Sequence, residues 1–165
     1  MKILAPNLYK IILTNKNMRT SSRNLYIIKG SERSLMIDTS WNVPECLSEM
    51  EQALNELSID CRNLDILVTH NHVDHSGYVS FFTDRGARAF MNPVEIAASS
   101  DRYHRFYEDN DMRRSYTSEV GVTKERTPDA WQEIKAGADQ LARDNNVNFD
   151  FPFTPIAPGD RLSYG

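Results

Sequence analysis

The sequence predicts an α+β fold: a run of strands, then strands alternating with helices, then a largely helical stretch. Three observations carry that reading. Apolar, β-rich runs fill the region before Pro44. The residues after Pro44 repeat with a helical period. A further apolar segment, Leu64 to Thr69, runs straight into a loop holding three of the chain's 4 histidines.

The first strands are Leu8 to Leu13, Arg23 to Lys29 and Arg33 to Ile37. Lys29-Gly30-Ser31-Glu32-Arg33 is the hairpin connection between the last two. Pro44 opens a helix, where its missing N–H costs nothing. Leu47, Met50, Leu54 and Leu57 lie on one stripe, so this helix packs on a sheet and the stripe is core. Leu64 to Thr69 is a buried strand. Ser76 to Phe82 is expected as a short helix and Ala87 to Met91 as another strand. Asn92 caps a helix that begins at Pro93. From about Asp101 the chain is charged and poor in β-branched residues. Thr127-Pro128 starts a helix with Trp131, Ile134, Ala138 and Leu141 on one face. Residues 92–146 therefore read as a helical insertion within one domain spanning 1–165. It would form a pocket wall, a lid or a dimer surface. The plainer reading is that Tyr103, Phe106, Tyr107 and Trp131 pack its helices together.

The chemistry concentrates in Thr69-His70-Asn71-His72-Val73-Asp74-His75-Ser76-Gly77. Neutral imidazole and ionised carboxylate are ligands for first-row transition metals, and this grouping suits one ion or a pair. A lone histidine on an apolar strand is usually a satisfied core residue. Three with an aspartate where a strand meets a loop are a candidate site. His104, in Asp101-Arg102-Tyr103-His104-Arg105, reads as a surface or helix-packing residue.

His70, His72, Asp74 and His75 match the H-x-H-x-D-H signature of the metallo-β-lactamase superfamily without a gap. Asn24-Leu25-Tyr26-Ile27-Ile28 followed by Leu35-Met36-Ile37-Asp38-Thr39 resembles that family's N-terminal hairpin, which ends in L-I-D-T-G. Ser40 stands in place of the glycine, which relaxes a turn that needs positive φ. The resemblance covers nearly the whole chain. It implies the N-terminal half of an αββα sandwich, with zinc (one or two ions), iron or manganese as cofactor. It also implies that His70 and His72 hold one metal, that Asp74 and His75 help hold the second, and that Asp38 orients a ligand from beneath. As an alternative, Asp38 caps a turn. The implied activity is hydrolysis by metal-bound hydroxide, with Asp74 orienting or deprotonating the nucleophile.

Phe153 to Gly165 resembles the segment leading into the second half of that fold. There a G-H-x-P-G-H-like motif and a later aspartate and histidine would complete both metal sites. The chain stops before them. It is therefore expected to bind metal weakly alone, and to self-associate or to associate with a C-terminal half. A small ester, thioester or lactone is the expected substrate. The alternatives are a non-catalytic truncated or split half-domain, and a di-iron oxidoreductase of the same superfamily.

Bulk properties bound the rest. Net charge is −4, so no broad basic field points to nucleic acid or anionic lipid. No stretch is apolar and long enough to span a bilayer. The N-terminus lacks the apolar core of a signal peptide. Cys46 and Cys61 form no C-x-x-C pair and read as small apolar residues of a reducing compartment. A cytoplasmic protein is the expectation.

Overall fold

A computed structural model describes residues 1–14, 22–100, 126–129, 132 and 152–164. The chain divides into two compact units. One comprises Met1–Ala97 with Val147–Gly165, and the other Ala98–Asn146. In the second unit Pro128 and Asp129 are helical. Tyr103, His104, Phe106, Tyr107 and Trp131 lie outside the described residues, as does most of the expected insertion.

The first unit is built on a mixed sheet. Its strands are β1 (Lys2–Ala5), β2 (Leu8–Thr14), β3 (Ser22–Ile28), β4 (Ser34–Ile37), β5 (Leu64–Val68), β6 (Arg88–Met91) and β7 (Phe153–Pro155). They lie side by side in chain order. The first four form an antiparallel meander. β4 to β7 run parallel to one another. The parallel part requires crossovers. These are α1 (Pro44–Glu56), and then α2 (Val73–Ser76) with α3 (Val79–Thr83); α4 (Pro93–Ser100) follows β6.

Strand alternation puts two different surfaces on the sheet. Leu13, Leu25, Ile27, Met36, Ile66 and Met91 share one face. They pack in one core with Met50 and Leu54 of α1 and Phe82 of α3. The expected helix stripe is thus the seam between α1 and the sheet. Ile12, Leu35, Asp65, Leu67, Arg88 and Phe90 alternate onto the other face. There Ile12 is 56% exposed, while Leu35 and Phe90 are buried outside the main core.

The second face carries a buried charge. Asp65 is 1% exposed. Arg88 grips it with Nε and Nη2 at 2.8 and 2.6 Å. Arg33 adds Nε and Nη2 at 2.9 and 2.6 Å. The Tyr164 hydroxyl donates to the same carboxylate at 3.1 Å. Two guanidiniums and a phenol compensate a carboxylate that could not otherwise be buried. Burial alone would raise the Asp65 pKa, but the hydrogen bonds from Arg88 and Arg33 outweigh it and the pKa is lowered.

Among the described residues the strands and helices expected from sequence occur, with shifted ends. β7 was not expected as a strand. β1 was not expected; every residue in it is exposed, so no alternating pattern marks it. It is held through a turn at Pro6 and Asn7 by pairing with β2. The helix expected over Ser76 to Phe82 is broken into α2 and α3. At the break the Tyr78 N–H is drawn to Thr39 Oγ1 at 3.2 Å. Among the described residues no helix is long and apolar enough to cross a membrane.

Replacing Asp65 by Asn should destabilise the chain at pH 7 by roughly 2–4 kcal/mol, since it strips the countercharge from two arginines. The folded-state pKa of Asp65 lies below the unfolded value of about 4, so its ion pairs stabilise the fold above that pH. The stabilisation is lost as pH falls through the depressed value. Denaturant unfolding across pH 2–7 should show an acid limb that is shallower in D65N than in the parent; equal limbs would refute the assignment.

Candidate metal centre

The histidine loop leaves the carboxyl end of β5, where ligand sites of parallel sheets collect. Its backbone is tied back to the end of β4. Asp38 N–H donates to Leu67 O at 2.8 Å, and Thr39 N–H to His75 O at 2.7 Å. Thr39 Oγ1 adds a second bond to His75 O at 3.0 Å. α2 turns the chain within one helical turn, with His75 N–H and Ser76 N–H both donating to His72 O.

These ties bring three rings together. His70 lies 4.6 Å from His72 and 4.0 Å from His75, centroid to centroid. Asp38 sits beneath them. Its carboxylate accepts from Thr69 N–H at 2.7 Å and from Thr69 Oγ1 at 3.0 Å. His75 Nδ1 donates to Asp38 Oδ2 at 2.8 Å. That bond assigns the proton of the neutral ring to Nδ1 and leaves the Nε2 lone pair available. Nε2 lies 3.5 Å from Asp74 Oδ2. Thr69 Oγ1 is also 3.1 Å from His70 Nδ1, so one hydroxyl links two rings to one carboxylate. Burial lowers the His70 pKa, reinforced by His75 and His72 nearby. That direction favours the neutral form that a metal needs.

The turn after β4 has a specific backbone demand. Asp38 adopts φ 63°, the left-handed region that aspartate tolerates better than most residues. Positive φ therefore falls on Asp38 and not on Ser40, which explains why serine fits where the signature has glycine. The nearby glycine that matters is Gly77. A Cβ there would lie 2.4 Å from Ser40 O and 2.9 Å from Asn42 N.

The residue types suit a borderline ion: three clustered imidazoles and a carboxylate. Their present settings do not close round one. Among the described residues, no group of three or more His, Cys, Asp or Glu side chains converges as an ion-holding set. Asp74 Oδ2 is instead ion-paired to Arg23.

No family model matches the chain. Similarity to solved structures is clear. A metallo-beta-lactamase family protein from Thermus thermophilus superposes with a TM-score of 0.65 at 23% identity, over 98% of this chain and 50% of that one. A beta-lactamase domain protein from Burkholderia ambifaria gives 0.67 at 17% identity, over 98% and 45%. A metallo beta lactamase from Hirschia baltica gives 0.50 at 18% identity, over 61% and 46%.

The chain has the metallo-β-lactamase fold.

It spans about half the length of the structures it matches. Within this fold, sequence reading missed three side chains around the loop. Arg23 pairs with Asp74, and its guanidinium carbon lies 5.3 Å from the Trp41 ring centroid. Glu95, from α4, accepts the Asn71 N–H at 2.9 Å and so holds the backbone between His70 and His72. The signal for Arg23 lay in the hairpin: β3 runs antiparallel to β4, so its first residues must lie beside the end of β4.

Two substitutions test this local construction. Gly77→Ala should cost roughly 1–3 kcal/mol by overpacking against Ser40 and Asn42. Asp38→Ala should destabilise more than Asp38→Asn by about 1 kcal/mol, because asparagine tolerates the left-handed backbone and alanine does not. Chemical denaturation of the variants measures both; an Asn variant as unstable as the Ala one would remove the backbone argument.

Proposed function

We propose that this chain carries the histidine-loop half of a metal-dependent hydrolase acting on a small ester, thioester or lactone. The supporting observation is the gathering of His70, His72 and His75 above Asp38 at the carboxyl end of β5. His70 and His72 would hold one ion and Asp74 with His75 a second. Zinc is preferred, and iron or manganese suit the same donors. A bound ion supplies Lewis acidity and makes water a usable nucleophile near neutral pH.

The chain's own residues do the rest. Asp38 fixes the His75 tautomer and, through Thr69, steadies His70. Asp74 would orient a water and accept its proton. Glu95 keeps the loop backbone between the first two histidines in place. A reducing, cytoplasmic setting belongs to this reading and is supported by the free cysteines, with Cys46 in the core.

A second reading is a non-catalytic half-domain that works by binding a partner chain. It is favoured by apolar exposure on the sheet: Ile12 at 56%, and Ile3 and Leu4 at 68% and 44% on edge strand β1.

The purified chain, loaded with Zn²⁺, should turn over thioester or lactone substrates slowly and lose that activity to a chelator and to His72→Ala. Asp38→Asn should weaken Zn²⁺ binding by about 10–100-fold while leaving the fold intact, as calorimetry and circular dichroism would read. Turnover that survives chelation and the His72 variant would eliminate the hydrolase reading. An inert chain that sediments as a dimer or captures a separate C-terminal half would favour the second.

A further inference from the structure

We propose that Arg23 is a placeholder cation for Asp74. Its guanidinium holds the carboxylate when no ion is bound and must leave before an ion is taken up there. This rests on the metal reading above and adds to it a residue from the antiparallel part of the sheet, outside the histidine motif.

The placement follows from strand register. Tyr26 pairs with Ile37, so Arg23 lies beyond the end of β4, at the loop end of the sheet. Arg23 alternates with Leu25 and Ile27, so it is on the helix-bearing face, as the α2 loop is. Its Nη2 contacts Asp74 Oδ2. That oxygen is the one facing His75 Nε2 at 3.5 Å. An ion shared by Asp74 and His75 through these two facing atoms would use the oxygen that the guanidinium holds, so the two cations compete for it.

Charge and exposure show why a placeholder is needed and why it can leave. The Asp74 side chain is 14% exposed, so an unpaired carboxylate there would be costly. The other carboxylate of the site, Asp38, already has donors from Thr69 and His75. Glu95 is turned to the Asn71 backbone. The Arg23 side chain is 45% exposed, so it can swing away without losing hydration. Trp41 offers its ring face 5.3 Å from the guanidinium carbon, a second support that does not involve the carboxylate.

The test follows metal uptake and not turnover. Zn²⁺ is titrated into the full chain while the Arg23 Nε–H and the histidine ring resonances are followed by NMR, with Arg23→Lys assigning the arginine signal. The expected result is that the Arg23 signal moves with the same saturation as the His75 ring signals. Calorimetry then completes a double-mutant cycle. Arg23→Gln should tighten Zn²⁺ binding on the order of three- to tenfold, as removal of a partly exposed competing cation predicts. The gain should vanish in an Asp74→Asn background. Histidine signals that move while Arg23 stays still would overturn the proposal, as would an equal gain with and without Asp74, which would mark a general field effect. Histidine signals that never move would overturn the metal reading itself, and this proposal with it.

Discussion

A single carboxylate ties the parallel half of the sheet to its histidine loop. Asp38 takes a backbone donor and a hydroxyl from Thr69 and a ring donor from His75. β4 thus grips both ends of a loop that would otherwise be a flexible connection between β5 and α2. To reach these donors the backbone of Asp38 enters the left-handed region at φ 63°. That local cost is supported by the surrounding bonds from Thr39 to His75 and from Asp38 N–H to Leu67. The His75 tautomer and the placing of His70 and His75 over β4 follow from this attachment.

The sheet carries opposite chemistry at its two ends and on its two faces. The helix-bearing face is dry and apolar, and the rigidity of that core is what holds the end of β5 steady under the histidine loop. At the other end, Asp65 binds Arg33, Arg88 and Tyr164, which joins β5, β6 and the residues after β7 into one cluster. A buried carboxylate with three donors is a specific, directional clamp, whereas apolar packing alone would tolerate sliding. The site end uses the same device more lightly: one guanidinium holds Asp74 instead of two, and the Asp74 side chain is 14% exposed against 2% for Asp65.

Much was legible in the residues themselves. Apolar, β-rich runs marked β2, β3 and β4, a period of 3.6 marked α1, and Asn92 with Pro93 marked the start of α4, where Asn92 Oδ1 does accept the Val94 N–H at 2.8 Å. These signals are local: each depends on neighbours within a few positions, and a buried face enforces each. The strand–loop junction at Thr69 and its histidines were legible for the same reason. β1 was not, because an exposed edge strand has no face to reveal it. The break between α2 and α3 was not, because the Tyr78 N–H is taken by Thr39, a residue far away in sequence.

The sequence by itself determined the α+β class, the core stripe of α1, the position of the site at the end of β5, and the residue types available there. Only the tertiary structure decided how those residues are paired. Arg23 meets Asp74 because β3 runs antiparallel to β4, and Tyr164 meets Asp65 because β7 adds to the parallel edge. It also put positive φ on Asp38 and close packing on Gly77, where sequence pattern pointed to Ser40. The physical reason is range. Periodicity records what a residue faces, core or solvent. Ion pairs and backbone strain depend on which distant strand arrives beside it.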